Sequence, residues 1–131
     1  MKEIWKDIPG YEGLYQASNL GRIKKIWKTK ESIMKPALQK EGYLRLGLFK
    51  NGKRKSYQLH RLIALCFVEN KENKKYVNHK DGNKQNNNAD NLEWVTASEN
   101  LKHAYDNNLF KIIPDKKMEN RFYNMIWMVI L

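Results

Sequence analysis

The residues with chemical potential are gathered in one stretch. Val77-Asn-His-Lys-Asp-Gly82 leads to Asn86-Asn-Asn-Ala-Asp-Asn-Leu-Glu-Trp-Val-Thr96 and then to Ser98-Glu-Asn-Leu-Lys-His-Ala104. As strand, loop, strand and helix, the stretch makes a ββα unit, with His79 at a strand end opposite a helix that starts near Glu99. Asn78 adjoins His79 and Asn100 falls in the first helical turn, so two neutral amide oxygens could flank a hard divalent cation. Oxygen donors suit Mg²⁺ or Mn²⁺ rather than zinc. His79, free of the metal, could take the proton from an attacking water. The plainer alternative is a hydrogen-bonded structural histidine.

Flanking elements must hold that unit in place. Leu14–Ser18 and Arg22–Trp27 read as strands around Asn19-Leu20-Gly21, a tight turn in which Gly21 accepts positive φ. Tyr43–Phe49 alternates, with Leu44, Leu46 and Leu48 on one face, and leads into Asn51-Gly52, the strongest short hairpin signal. Arg54–Leu59 is the expected return strand. From His60 the period changes: Leu62, Ile63, Cys66 and Phe67 share one helical face, so His60–Val68 reads as a helix packed on the sheet. Thr96-Ala-Ser-Glu99 fits a capping box, opening a helix expected to run to about Asn107-Asn108. His60 and Trp94 read as structural, Asp81-Gly82 as a turn with an Asx bond, and Asn86, Asn87 and Asn88 as loop-turn residues.

Charge indicates the partner. The 131 residues carry 25 Lys+Arg against 14 Asp+Glu, a net +11. Residues 1–61 hold 15 basic and 5 acidic groups, a net +10, which leaves only +1 for the rest. Such a field favours a polyanion, and nucleic acid comes first. Arg22, Lys24, Lys25, Lys28 and Lys30 form one basic run and Lys50, Lys53, Arg54, Lys55 and Arg61 a second, of which all but Lys30 and Lys50 are singled out. With Arg45, these are the expected DNA contacts: lysines to position phosphates, arginines able to read guanine. One cysteine, Cys66, excludes a disulfide scaffold and a Cys-rich zinc site. No apolar run reaches the roughly 18 residues of a membrane span.

Asn78-His79-Lys80-Asp81-Gly82-Asn83, Asn91-Leu92-Glu93-Trp94-Val95-Thr96 and Glu99-Asn100 resemble the HNH endonuclease motif in its phage homing-endonuclease form. His60-Arg-Leu-Ile-Ala64 and Phe67 match the segment that precedes it in that family. Trp5-Lys-Asp-Ile-Pro-Gly-Tyr-Glu-Gly-Leu-Tyr-Gln-Ala-Ser-Asn-Leu-Gly-Arg22 resembles the nuclease-associated modular DNA-binding motif often found at their N-terminus. The resemblance implies that His79 is the general base and that Asn91 orients the loop and holds His79 by hydrogen bonds. It also implies that Asn100 binds the metal. Asn78 stands where many relatives have Asp, which makes that ligand neutral. Ala104 replaces the second helical histidine of bacterial toxin relatives.

The implied fold is α+β: a small N-terminal antiparallel β-sheet that grips DNA, then a ββα-metal (His-Me finger) nuclease core. The expected divisions are residues 1–54 for DNA binding, 55–108 for the nuclease core and 109–131 for a tail. The implied function is metal-dependent hydrolysis of phosphodiesters in double-stranded DNA, nicking and homing-type, of phage or mobile-element origin. It would use one divalent ion, Mg²⁺ or Mn²⁺. The alternative is a decayed HNH-like protein that only binds nucleic acid. The bacterial host cytoplasm is the expected location, with no membrane partner. A monomer is expected. The apolar tail Phe122–Leu131 is open to three readings: packing on the body, pairing two copies, or a truncated or frame-altered end.

Overall fold

The computed structural model describes residues 2–106. Its elements are β1 (Trp5–Asp7), β2 (Tyr15–Ser18), β3 (Ile23–Ile26), β4 (Glu31–Ile33), β5 (Ala37–Leu38), β6 (Leu44–Lys50), β7 (Lys53–Gln58), α1 (Leu59–Phe67), β8 (Tyr76–His79), β9 (Leu92–Val95) and α2 (Ala97–Asp106). The expected N-terminal antiparallel strands and strand–helix core are both present. The strands before α1 divide between two sheets, β1-β2-β3-β4 and β5-β6-β7, and β8-β9 pair as a separate ribbon. Pro36 lies at the division, where its missing N–H cannot continue a ladder. The apolar tail lies outside the described residues.

Local chemistry explains the turns. Asn51 and Gly52 both take positive φ, +54° and +75°, the twist that lets β6 and β7 pair from Lys50↔Lys53 onward. At the β2–β3 turn the Ser18 hydroxyl accepts from the N–H groups of Leu20 (3.2 Å) and Arg22 (3.1 Å), while Gly21 sits at φ +89°. The alternation of β6 buries Leu46 and Leu48 against α1, whose Leu59, Leu62 and Ile63 are buried in turn. That core continues into Tyr15, Ala17 and Ile23 of the first sheet and into Val77 and Leu92 of the ribbon. Cys66 and Phe67 pack on it half-buried, and burial pushes the Cys66 thiol up to about 11, an inert thiol at neutral pH.

The capping box forms as expected. Thr96 Oγ1 accepts from the Glu99 N–H (3.2 Å) and Glu99 Oε1 accepts from the Thr96 N–H (3.1 Å). These bonds start α2 at a defined residue and so place Asn100 in its first turn. Replacing Thr96 with Ala should cost about 1 kcal/mol of stability. A urea-denaturation midpoint measures this, and an unchanged midpoint would mean that the box does not hold the helix start.

Candidate active site

β8 delivers Asn78 and His79 side by side, paired in register with Glu93 and Leu92. The loop from Lys80 to Asn91 is then closed by amides around one carboxylate. Asp81 Oδ1 accepts from the Asn83 N–H (2.8 Å) and from Asn91 Nδ2 (2.9 Å), and its Oδ2 accepts from Asn86 Nδ2 (2.8 Å). Asn91 completes the knot: its Nδ2 also reaches the Asn86 carbonyl (2.8 Å), and its Oδ1 accepts from the Asp81 N–H (3.1 Å). The donors from Asn86, Asn83 and Asn91 hold the Asp81 carboxyl below its ordinary range. The Asx turn expected at Asp81 is therefore present, as the hub of the loop.

His79 is buried, and its Nε2 lies 2.8 Å from Asn87 Oδ1. An amide oxygen only accepts, so Nε2 carries the hydrogen and Nδ1 keeps the lone pair. Its ring packs 4.8 Å from that of His60, and Tyr43 stacks on His60 at 5.1 Å. Burial holds the His79 pKa below its ordinary value, against the opposing pull of the Asn87 bond. The ring is thus neutral at pH 7, as a base must be. Burial, helped by His79 once it is protonated at low pH and by the Arg61 charge, depresses His60 to about 3.

A cavity of about 350 Å³ is shared by Asn78, His79, Asn100, His103, Lys84 and Tyr43. The Asn78 amide donates from Nδ2 to Glu93 Oε1 (2.9 Å), which turns the amide so that Oδ1 remains as its other polar atom. Helix α2 is tied to the opposite wall, since His103 Nε2 lies 3.0 Å from the Lys80 carbonyl. Lys84 donates to the Glu41 carbonyl (2.7 Å) and stands 4.6 Å over the Tyr43 ring. Among the described residues lining the cavity, it is the one lysine or arginine.

His79, Asn78 and Asn100 are therefore brought together as the spacing implied. Asn91 braces the loop, but its hydrogen bonds go to Asp81 and Asn86. The bond to His79 comes from Asn87, which the sequence pattern places among turn residues. Lys84 is likewise not singled out by the sequence. Nothing local distinguishes Asn87 from Asn86 and Asn88; only the path of the closed loop does.

Two family models match the chain. Residues 3–49 match the NUMOD4 motif and residues 57–102 match the HNH endonuclease model. DNA endonuclease I-HmuI of Bacillus phage SP01 is 50% identical over 99 residues, 76% of this chain and 56% of that protein. The chain thus carries a NUMOD4 motif followed by an HNH endonuclease domain. A solved structure of the HNH homing endonuclease I-HmuI, described as DNA binding and cleavage, superposes with a TM-score of 0.77 at 44% identity, covering 89% of this chain and 64% of that one. An uncharacterised HNH endonuclease of Acanthamoeba polyphaga mimivirus is 49% identical over 112 residues, 82% of this chain and 27% of the relative. The chain thus spans between about a quarter and somewhat over half of these curated relatives.

HNH endonucleases generally use a divalent metal. Among the described residues no three His, Cys, Asp or Glu side chains gather to hold one. The donors available in the cavity are the amide oxygens of Asn78 and Asn100, a set that fits a hard cation and lacks charge of its own.

The basic residues of this HNH chain are spread over two sheets and a helix. Arg22 pairs with Glu3 and stacks over Trp5, and Lys24 meets Glu31 at 3.1 Å and also stands over Trp5 (4.5 Å). Cross-strand register puts Lys25 on the opposite face from Lys24, and it lies 5.2 Å from the Trp27 ring; Lys28 is exposed in the turn beyond β3. On the second sheet Arg45 donates to Ser56 Oγ (2.7 Å) and Arg54 lies across Gly47, the two sharing one face. Lys53 is exposed at the hairpin, and Lys55 covers Tyr57 from the other face. Arg61 donates to the Lys75 carbonyl (2.8 Å) and stacks on Trp94. The basic runs are thus less free than the sequence suggested, because Glu3, ahead of β1, and Glu31, on the neighbouring β4, reach Arg22 and Lys24.

A pH dependence follows from His60. Its folded pKa lies below the unfolded value, so the unfolded chain binds a proton that the fold refuses. Its contribution is complete above about pH 6.5 and is lost as pH falls toward about 3. Urea midpoints measured from pH 7.5 to 4 should fall, and His60→Phe should flatten part of that fall. An equally steep curve in His60→Phe would place the acid sensitivity elsewhere.

Proposed function

We propose that this chain hydrolyses phosphodiesters of double-stranded DNA as a nicking, homing-type endonuclease of phage or mobile-element origin, acting on DNA inside a bacterial host cell. The observation that carries the reading is one cavity lined by His79, whose Nε2 is held by Asn87, and by the amide side chains of Asn78 and Asn100. Similarity to I-HmuI, whose solved structure is described as DNA binding and cleavage, supports it.

In this reading Nδ1 of His79 takes the proton from a water aligned with the scissile phosphorus. The ring can accept it because Nε2 is already committed to Asn87. Asn78 and Asn100 would hold one Mg²⁺ or Mn²⁺, which when bound supplies positive charge to the scissile phosphate and its leaving oxygen. Lys84 neutralises phosphate charge at the cavity mouth, and Asn91 keeps the loop closed. Residues 1–54 supply most of the DNA grip through Arg22, Lys24, Lys25, Lys28, Arg45, Lys53 and Arg54, with Lys55 and Arg61 continuing it. Residues 55–108 supply the chemistry.

One base and one amide pair give one in-line attack. The two strands of a duplex present their phosphates with opposite polarity, so a second cut needs rebinding or a two-fold partner. With Mg²⁺ and limiting protein, supercoiled plasmid should therefore accumulate open circles well before linear DNA. Linear product from the outset would show paired active sites. His79→Ala should lower the cutting rate by about 10²–10⁴ while leaving duplex affinity nearly intact. A wild-type chain that binds duplex but never cuts it, with either ion, would support the decayed, binding-only alternative.

Replacing Lys24, Lys25 and Lys28 together with Ala in the full chain should flatten the salt dependence of duplex binding. The expected change is about 0.9 in log–log slope for each phosphate that the chain no longer neutralises. An unchanged slope would remove these lysines from the DNA grip.

A further inference from the structure

The β2–β3 turn lies far from the HNH motif in sequence, yet it touches the loop at its most sensitive point. Gly21, at φ +89°, lies so close to Asn87 that a Cβ added there would meet the Asn87 carbonyl oxygen at 2.8 Å and its carbonyl carbon at 2.9 Å. Both are backbone atoms, so no side-chain rotation relieves the approach. Two residues further along the loop, the Ala89 N–H donates to the Asn19 carbonyl (2.8 Å). The turn is itself firmly built. Ser18 Oγ bonds the N–H groups of Leu20 and Arg22, and the Asn19 side chain bonds Ile4 N–H (2.7 Å) and the Lys2 carbonyl (3.2 Å). Ser18 and Asn87 are both buried, at 0% and 5% exposed, and Gly21 is partly buried.

We propose that the Ser18–Gly21 turn of the NUMOD4 segment is a positioning element of the active site, holding Asn87 from behind so that Asn87 fixes the His79 ring. The inference rests on His79 being the base. In this arrangement the N-terminal segment contributes to the chemical step as well as to DNA affinity. Asn87 and Gly21 are positioning residues: neither touches DNA in this role, and both act through the orientation of one imidazole. Glycine is required at position 21 because any side chain displaces the backbone that carries the hydrogen-bond acceptor.

The test is single-turnover nicking by the full chain at saturating protein, beside duplex Kd measured without a divalent ion. Gly21→Ala should lower the rate by about tenfold or more, because misplacing a catalytic group by about 1 Å costs roughly 10²-fold. Its Kd should stay within about twofold. Gly10→Ala and Gly13→Ala are matched controls: these glycines also have positive φ, +86° and +78°, but nothing lies within 4 Å of an added Cβ. They should carry the same backbone strain and keep the rate. Ala89→Pro cuts the second tie from the loop side. It opens a 3₁₀ turn, where proline is tolerated, and follows Asn88 at φ −60°, ψ 137°, a conformation suited to precede proline. It should lower the rate in the same way even if Gly21→Ala folds poorly.

Two further variants separate positioning from general damage. Asn87→Asp keeps an acceptor facing Nε2 and should retain more of the rate than Asn87→Leu. Adding Gly21→Ala to Asn87→Leu should cost little more, since both act on one bond. If Gly21→Ala and Ala89→Pro both cut as fast as Gly13→Ala while His79→Ala is inactive, the role of the turn is overturned and His79 stands. If His79→Ala still cuts, the base assignment fails and this inference fails with it.

Discussion

A histidine is a useful base at neutral pH only if one nitrogen is bare and the ring is held still. In this chain both conditions depend on the hydrogen bond between His79 Nε2 and Asn87 Oδ1. The bond selects the tautomer, and burial keeps the ring uncharged. The rest of the molecule can be understood as support for that pair. β8 brings His79 to the end of its ribbon. The Asp81 hub, with Asn91 and Asn86, closes the loop so that Asn87 turns inward. His60 and Tyr43 fill the other side of the ring. A buried imidazole with a fixed partner has little freedom left, which is what proton transfer in a short-lived transition state requires.

Electrostatics are divided between two regions. The cavity has neutral amide donors and one lysine, whereas the strong positive field belongs to the strands before α1. If Asn78 and Asn100 hold a cation as proposed, their amides bring no negative charge to it, and an arriving phosphate would supply that charge. In that proposal binding and chemistry would be coupled through the substrate. The fold joins them physically as well, because one hydrophobic core runs from Tyr15 and Ile23 through α1 to Val77 and Leu92. Aromatic rings under Arg22, Lys24, Lys25 and Arg61 restrain several basic groups before any ligand is present.

Features encoded by short-range chemistry were legible in the residues. Asn51-Gly52 specified its hairpin because few other pairs accept two positive φ values. Thr96 and Glu99 specified the start of α2 because each satisfies the other's backbone N–H. Once those elements were in place, the meeting of Asn78, His79 and Asn100 followed. What depended on the path of the chain through space was not legible. Three consecutive asparagines look alike in sequence, and only the closed loop and the contact with Gly21 single out Asn87. The pairing of Arg22 with Glu3 and of Lys24 with Glu31 was hidden for the same reason. So was the division of the strands into two sheets, which Pro36 marks without announcing.

The most direct test of the central bond is a long-range ¹H–¹⁵N spectrum of the imidazole rings in the full chain at pH 7, with His79 assigned by its absence from a His79→Gln sample. A neutral ring protonated at Nε2, with Nδ1 bare, is expected for His79, and in Asn87→Leu this pattern should give way to a tautomer mixture. A His79 ring protonated at Nδ1, or a spectrum unchanged by Asn87→Leu, would contradict the role assigned to that bond.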